Sequence, residues 1–350
     1  MIDNYFKISK MNESPLKSKF ERVEQITSGF SNYCNARIMK KVLLVFVLIT
    51  SVLTFKAQQE VLISQYMFNE LFINPAYSGS HDYFELTGLH RSQWVDFDGA
   101  PVTQLLEFEG PIMNKKMGVG LTLVNDVIGD TKQFEINGNV SYHFDLDERK
   151  KNRLSLGLKV GVSNYTAKLT QTDVIDEQDP VFLRDIKNEW VPKFGAGVYY
   201  YGKNKYLGIS IPTLFSADAD LRFDLDSINY KDDFHFENHV FINGGIIFPI
   251  GRNVKLKPNV LVKYQKAAPT EIDFSANFLI KEFLWLGATY RTDDAVVGMI
   301  EMDISKQLRF GYAYDFTITD IATYSSGSHE VMVGYLFGKD IIKTKSPRYF

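Results

Sequence analysis

The stretch "FEINGNVSYHF", Phe134–Phe144, alternates strictly between two kinds of side chain. Its even-numbered positions carry Phe, Ile, Gly, Val, Tyr and Phe, whereas its odd-numbered positions carry Glu, Asn, Asn, Ser and His. Successive side chains of a β-strand point to opposite faces of a sheet. The pattern therefore predicts a strand with one apolar face and one polar face.

The same alternation recurs along the chain from residue 83 onward. It is clear in "LSLGLKVGVS" from Leu154, in "IDFSANFLI" from Ile272 and in "LRFGYAYDF" from Leu308. Most of these runs have about nine to eleven residues, which is long enough for a tilted strand to cross a bilayer. We predict fourteen strands, which start near Tyr83, Val102, Met117, Lys132, Arg153, Lys193, Lys205, Phe236, Asn253, Thr270, Phe283, Ala295, Gln307 and Ser328.

A soluble β-sandwich and a membrane β-barrel both show this alternation, and the links between strands separate them. The links after even-numbered predicted strands are short, such as "GKNK" and "SK", whereas those after odd-numbered strands include residues 167–192 and 212–235. Short periplasmic turns and long extracellular loops are typical of outer-membrane barrels. The predicted fold class is therefore all-β, a transmembrane antiparallel β-barrel of about 14 strands.

The first 57 residues predict export. Residues 39–57, "MKKVLLVFVLITSVLTFKA", begin with two lysines after Met39, followed by an apolar run and a small residue at Ala57, as in a signal peptide. Residues 1–38 are predicted to be a misassigned start or a disordered extension, and they hold the only cysteine, Cys34. We expect a barrel over residues 83–338 and a periplasmic tail over 339–350. An even number of strands places both termini in the periplasm.

A segment over residues 58–82 shows neither helical nor strand periodicity. Its sequence "SQYMFNELFINPAYSGS" places aromatic rings around an Asn-Pro break. Proline cannot join the interior of a strand ladder, and a fourteen-stranded barrel has internal space that wall side chains fill poorly. The segment is predicted to be a plug in the barrel mouth or lumen, or else a docking element ordered by a partner. Its candidate residues are Tyr66, Phe68, Phe72, Asn74, Pro75 and Tyr77.

A second conspicuous stretch is "HRSQWVDFDGAPVTQ", His90–Gln104, which leads into a tight turn at Gly99 and Pro101. One interpretation is an extracellular loop that folds on its own aromatic rings, and the other is a docking surface. The candidate residues of this surface are Arg91, Trp94, Phe97 and Asp98.

The sequence contains neither a serine nucleophile elbow nor a phosphate-binding loop, so it shows no recognisable catalytic motif. His235 and His239 are four apart, which on a strand separates them by about 13 Å, too far for one metal ion. The aspartates of residues 218–226 fit a solvated acidic loop better than a calcium site. We predict no enzymatic activity, no cofactor and no metal site.

Charge differs between the two kinds of link. The short turns are net basic and the long loops are net acidic. A basic turn side would suit an acidic partner. The chain as a whole is net acidic, with 39 Lys and Arg against 42 Asp and Glu, which argues against nucleic acid as a partner.

The stretches "QYMFNELFINPAYSGS", "LHRSQWVDFDGAPVTQ" and "FEGPI" resemble the PorP/SprF family of the type IX secretion system. The resemblance covers Gln65 to Gly338, with departures at Glu70 and Val102. It implies an outer-membrane barrel of Bacteroidota that assists secretion or surface attachment of large proteins, including gliding adhesins. Its implied partners are periplasmic ring or anchor lipoproteins of that system, a large secreted surface protein, and outer-membrane lipid.

Two further functions remain compatible with the sequence. One is an outer-membrane channel for small or hydrophobic solutes, which conductance in planar bilayers would reveal. The other is a membrane enzyme, which hydrolytic assays on loop His and Ser variants would reveal.

Overall fold

The strands form one antiparallel sheet in the computed structural model, which describes residues 61–148, 151–171, 185–216, 238–266 and 268–337. Their bounds are β1 Phe84–Ser92, β2 Val102–Ile112, β3 Met117–Ile128, β4 Thr131–Asp145, β5 Arg153–Ala167, β6 Ile186–Tyr201, β7 Lys205–Ser216, β8 His239–Ile246, β9 Phe248–Pro249, β10 Val254–Gln265, β11 Glu271–Ile280, β12 Leu284–Arg291, β13 Ala295–Asp303, β14 Leu308–Thr317 and β15 Ser328–Phe337.

The sheet closes on itself because the first and last strands pair. Phe84 lies opposite Phe337 and Ser92 lies opposite His329 along the β1–β15 ladder. Strands β8 and β9 both pair with β10 and together occupy one position in the wall. The described strands therefore form a closed antiparallel β-barrel with fourteen positions, which confirms the predicted fold class.

Among the described residues, ladder pairing with β10 is interrupted between β8 and β9. The β8–β10 ladder ends at Gly245 opposite Asn259, and pairing resumes at Phe248 opposite Leu256. Pro258 lies in this gap. Because proline has no backbone N–H to donate, it weakens the ladder at this point.

Thirteen of the fourteen predicted strand starts lie within three residues of the observed ones. The exception is β6, which begins at Ile186 rather than near Lys193. Residues 187–189 are Lys, Asn and Glu in succession, so the beginning of this strand shows no alternation of apolar and polar residues. Asn188 also has a positive φ of 54°, which departs from strand geometry.

Polar residues line the lumen and apolar residues face outward. On β5, Lys159 is 6% exposed on the inner face, whereas the neighbouring Val160 is 56% exposed on the outer face. Leu156 and Leu158 are exposed in the same way. An apolar outer face with a polar interior is the arrangement of a barrel that spans a membrane.

The two ends of the barrel differ in their links. We call the end with residues 113–116, 202–204 and 281–283 the turn end, and the end with residues 93–101 and 318–327 the loop end. The two longest predicted loops extend beyond the described residues on the loop side. The predicted signal peptide, the aspartates of 218–226, His235 and the tail over 339–350 also lie outside the described residues. Within the described part of the chain, no helix is both long and apolar enough to cross a membrane.

Candidate functional site

Residues 61–83 lie inside the barrel, and we call them the luminal segment. They contain three short helical turns, a 3₁₀ turn at Tyr66–Phe68, an α-turn at Glu70–Ile73 and a 3₁₀ turn at Pro75–Tyr77. The Asn-Pro pair starts the last turn, since Asn74 Oδ1 accepts a hydrogen bond of 3.0 Å from the backbone N–H of Ala76. This satisfies a donor that the start of a helical turn otherwise leaves without a partner.

At the loop end, Glu330 holds the start of the luminal segment. Its carboxylate accepts hydrogen bonds from the backbone N–H groups of Ser64, at 2.7 Å, and of Gln65, at 2.8 Å. The Ser64 hydroxyl donates to Asp315 at 2.8 Å. All four residues are buried, so these charge-assisted bonds fix the chain against the inner wall.

A network of buried ion pairs surrounds this anchor. Arg91 lies 2.8 Å from Asp315 and 3.3 Å from Glu330. Arg291 lies 3.2 Å from both Asp315 and Asp273. We call Arg91, Asp273, Arg291, Asp315 and Glu330 the charge network. Each of its members is buried, and burying a charge is tolerated only when it is paired and hydrogen-bonded.

In the middle of the lumen, the luminal segment packs on the opposite wall. The Tyr66 hydroxyl accepts a hydrogen bond of 2.9 Å from Asn259 Nδ2. The Phe68 ring meets the Trp285 ring edge-on, with 5.9 Å between centroids. The Glu70 carboxylate accepts a hydrogen bond of 3.2 Å from Asn243 Nδ2, and Glu70 is fully buried in the lumen.

At the turn end, the backbone of the luminal segment touches the wall directly. The Ser78 carbonyl accepts a hydrogen bond of 2.6 Å from Ser141, and the Gly79 N–H donates to Glu109 at 2.7 Å. A Cβ atom on Gly118 would lie 1.9 Å from the Ser78 carbonyl oxygen, and one on Gly157 would lie 2.2 Å from the Ala76 nitrogen. Only glycine permits this approach.

The luminal segment thus crosses the lumen from one end to the other before β1 begins. Ser64 contacts Arg91 near the loop end of β1, whereas Gly79 contacts Glu109 near the turn end of β2. The first described residue, Val61, is at the loop end, and the last, Phe337, is at the turn end. The prediction that both termini lie in the periplasm concerns residues outside the described part of the chain, and it did not count this additional crossing.

A cavity of ≈ 430 Å³ opens above the luminal segment at the loop end. Ile63, Tyr66, Phe72 and Ile73 of the luminal segment form part of its lining, and the wall contributes further apolar side chains. Polar and charged residues also contribute, including Lys263, Glu271, Asp293 and Asp294. We call this space the loop-end cavity.

The structure separates the ten candidate residues into four groups. Tyr66, Phe72 and Trp94 line the loop-end cavity, while Arg91 is buried in the charge network below it. Phe68, Asn74, Pro75 and Tyr77 lie deeper in the lumen. Phe97 and Asp98 are exposed on the β1–β2 link and line neither feature.

Several residues that hold the luminal segment were missing from the sequence prediction. They are Ser64, Glu109, Gly118, Gly157, Asp315 and Glu330. The signal that could have found them is position, because charged and glycine residues fall on the inner face of alternating strands, as in "MGVGLTL" and "SHEVMVGY". Charges on an inward face need partners inside the lumen.

A closed barrel with an apolar outer face and a polar, filled lumen defines an integral outer-membrane protein. The chain belongs to the family of the type IX secretion system membrane proteins PorP/SprF, whose model matches residues 55–335. The protein is therefore an outer-membrane component of the type IX secretion system. No curated protein matches the chain.

Solved structures with similar folds are other outer-membrane barrels. Omp33 of Acinetobacter baumannii has 8% identity and a TM-score of 0.42, with 74% of this chain and 100% of that chain covered. A deletion mutant of the monoaromatic hydrocarbon channel TodX has 9% identity and a TM-score of 0.41, with 76% and 92% covered. The KdgM porin has 9% identity and a TM-score of 0.36, with 73% and 99% covered.

Proposed function

We propose that this protein acts without catalysis as a docking barrel of the type IX secretion system. In this proposal the luminal segment is a plug, and the loop-end cavity binds a segment of an exported surface protein during its secretion or attachment. The observation that carries the proposal is that the luminal segment fills the barrel and lines the cavity. A cavity lined by the protein's own plug is suited to binding rather than to passage.

The chemistry of the loop-end cavity indicates what such a segment would carry. Ile63, Phe72 and the wall residue Leu261 give the cavity an apolar surface. Glu271, Asp293 and Asp294 add carboxylates, and the long loops are net acidic in sequence. An apolar anchor residue beside a basic residue would complement both features.

The two sides of the membrane follow from the same proposal. Short turns face the periplasm and long loops face outward in outer-membrane barrels. The loop-end cavity would then open to the cell exterior, where an exported protein arrives. The turn end, whose links are net basic, would face periplasmic ring or anchor lipoproteins.

Substitution in the loop-end cavity tests this function. Ile321 lines the loop-end cavity from the short 3₁₀ turn Asp320–Thr323. The nearby Tyr324 is 69% exposed and is not part of the cavity lining. Ile321→Lys should reduce the amount of type IX cargo on the cell surface, measured by surface proteomics. Tyr324→Lys is the matched control and should leave that amount unchanged, at equal levels of barrel in the outer membrane. Unaltered cargo with both variants would contradict docking at this cavity.

The solute channel predicted as an alternative requires an open path past the luminal segment. Fourteen of the fifteen residues from Ser64 to Ser78 are buried, which leaves little solvent around the chain. Planar bilayer recordings separate the two functions. The plug predicts low conductance that rises when the luminal segment is displaced, whereas a channel predicts high conductance in the unaltered protein.

A further inference from the structure

Three metal-ligating side chains converge where the luminal segment leaves the barrel at the turn end. One ring nitrogen of His81 and one carboxylate oxygen each of Glu85 and Glu109 lie within 4.8 Å of one another. Glu85 and Glu109 are brought together because they are register partners on β1 and β2. The bond from the Gly79 N–H to Glu109 sets the chain so that His81 reaches the same point.

The His81 ring is held in one orientation by its neighbours. It stacks on Tyr83 with 4.9 Å between centroids, and it meets Tyr77 edge-on at 5.3 Å. Its Nε2 atom lies 3.4 Å from the Tyr77 hydroxyl, and its Nδ1 atom lies 3.3 Å from Glu109 Oε1. A ligating histidine characteristically has its second nitrogen hydrogen-bonded in this way, since that bond fixes the tautomer.

The charge around His81 favours a cation. Glu85, Glu107 and Glu109 are each 4–5% exposed and lie on the inner faces of two neighbouring strands. Arg309 forms an ion pair with Glu85 and thereby balances one of these charges. One carboxylate oxygen of Glu107 has no hydrogen-bond partner within the described part of the chain. Buried carboxylates are stable when they are paired with cations or coordinate a metal.

We propose that His81, Glu85 and Glu109 bind one divalent transition-metal ion of the zinc class. An imidazole nitrogen with two carboxylate oxygens suits Zn²⁺ better than Mg²⁺ or Ca²⁺, which prefer all-oxygen sites. Ligand atoms around tetrahedral zinc are about 3.4 Å apart, so the three ligand atoms, which lie within 4.8 Å of one another, need to approach by about 1.4 Å at most. The bound ion links the luminal segment to β1 and β2. This inference does not depend on the docking function.

The sequence prediction of no metal site missed this group because its members are separated by 4 and 24 positions along the chain. Only the β1–β2 register places Glu109 beside Glu85. The alternative to a metal ion is a direct hydrogen bond between the two side chains, since a protonated Nδ1 of His81 would donate to the Glu109 carboxylate. The experiment must therefore distinguish zinc from a proton.

The test uses the full mature chain, refolded in detergent, stripped with EDTA and confirmed as a folded barrel by its heat-modifiable gel mobility. Calorimetric titration with ZnCl₂ at pH 7.5 should show one equivalent bound, and X-ray absorption should show a nitrogen and oxygen shell. His81→Gln should abolish this binding. Tyr77→Phe, which removes only the partner of Nε2, should weaken it by about tenfold.

His90→Gln is the matched control, since His90 is exposed on the outer face of β1. It should bind zinc as the unaltered protein does. Two results would overturn the proposal. One is the absence of stoichiometric zinc binding by the folded barrel, which would leave the proton-bridged pair. The other is equal binding by the His81→Gln and unaltered proteins.

Discussion

Arg91 on β1 and Asp315 on β14 form an ion pair of 2.8 Å across the intervening strand β15. The Ser64 hydroxyl lies 2.9 Å from the same guanidinium. One buried arginine thus joins two non-adjacent strands to the luminal segment. The inner wall and the luminal segment are therefore joined by buried charged groups at this point, where Arg291 also donates to the Ser64 hydroxyl at 3.3 Å.

Removing that anchor should be costly. Arg91→Ala leaves Asp315 and Glu330 buried with less positive charge, and breaking a buried ion pair in this way costs about 3–5 kcal/mol. Lys115→Ala is the control, because Lys115 and Asp82 form a partly exposed pair of 2.9 Å whose loss costs about 0–1 kcal/mol. Urea unfolding of the refolded barrel in lipid vesicles measures both. Similar losses from the two variants would mean that Arg91 is effectively solvated.

The outer face predicts a dependence on membrane depth. Val160 lies on the outer face near the middle of β5, and Leu154 lies on the same face close to the turn end. Val160→Arg should destabilise the barrel by about 2–4 kcal/mol, whereas Leu154→Arg should cost about 0–1 kcal/mol. The same vesicle unfolding assay measures the difference. A larger loss of stability with Leu154→Arg than with Val160→Arg would show that the bilayer midplane lies closer to Leu154 than assumed here.

The close approach at Gly118 gives a way to displace the luminal segment without changing the outer wall. A side chain at Gly118 must push the Ser78 carbonyl aside, whereas Gly298 has no atom within 4 Å of its added Cβ. In purified barrels, Gly118→Val should therefore make the chain near Asn74 susceptible to added protease and raise ion conductance. The Gly118→Val barrel and the control Gly298→Val barrel should both keep their heat-modifiable gel mobility. Protection of Asn74 in the Gly118→Val protein would show that the luminal segment can shift without leaving the lumen.

Cysteine labelling tests the crossing of the luminal segment. In a Cys34→Ser background the chain has no cysteine. A membrane-impermeant maleimide added to intact cells should label Val61→Cys, at the loop end, and not Asp82→Cys, at the turn end. Asp82 has an exposed side chain, so its protection would come from the membrane and not from burial. Labelling of Asp82→Cys alone would reverse the assignment of the two sides.

Much of the barrel was predictable because a membrane imposes a local rule. Each strand must alternate between apolar and polar residues, so a few neighbouring residues were enough to predict strand starts at Arg153, Lys205 and Ala295. The rule fails where alternation stops. The chain from Ile186 to Pro192 joins β6 through backbone pairing with β5 rather than through a hydrophobic pattern.

The interior was less predictable because its contacts join distant parts of the chain. The aromatic rings around Pro75 mark the luminal segment as unusual, yet nothing near Ser64 in sequence indicates Glu330 as its partner, 266 positions away. The break opposite Pro258 was likewise not predicted. A proline inside a strand pattern can be read from the sequence, but the partner that loses its hydrogen bond cannot.

The crossing of the luminal segment constrains the order in which the barrel can assemble. Val61 and Phe84 are at opposite ends of the lumen, and β1 forms the closing seam with β15. A chain that finished its wall first would have to thread its beginning through a narrow tube lined with charged side chains. It is simpler for the strands to wrap around a segment already in place. The ion pair between Arg91 and Asp315 spans that seam, so pairing of β1 with β15 also brings together the charged groups that hold the luminal segment.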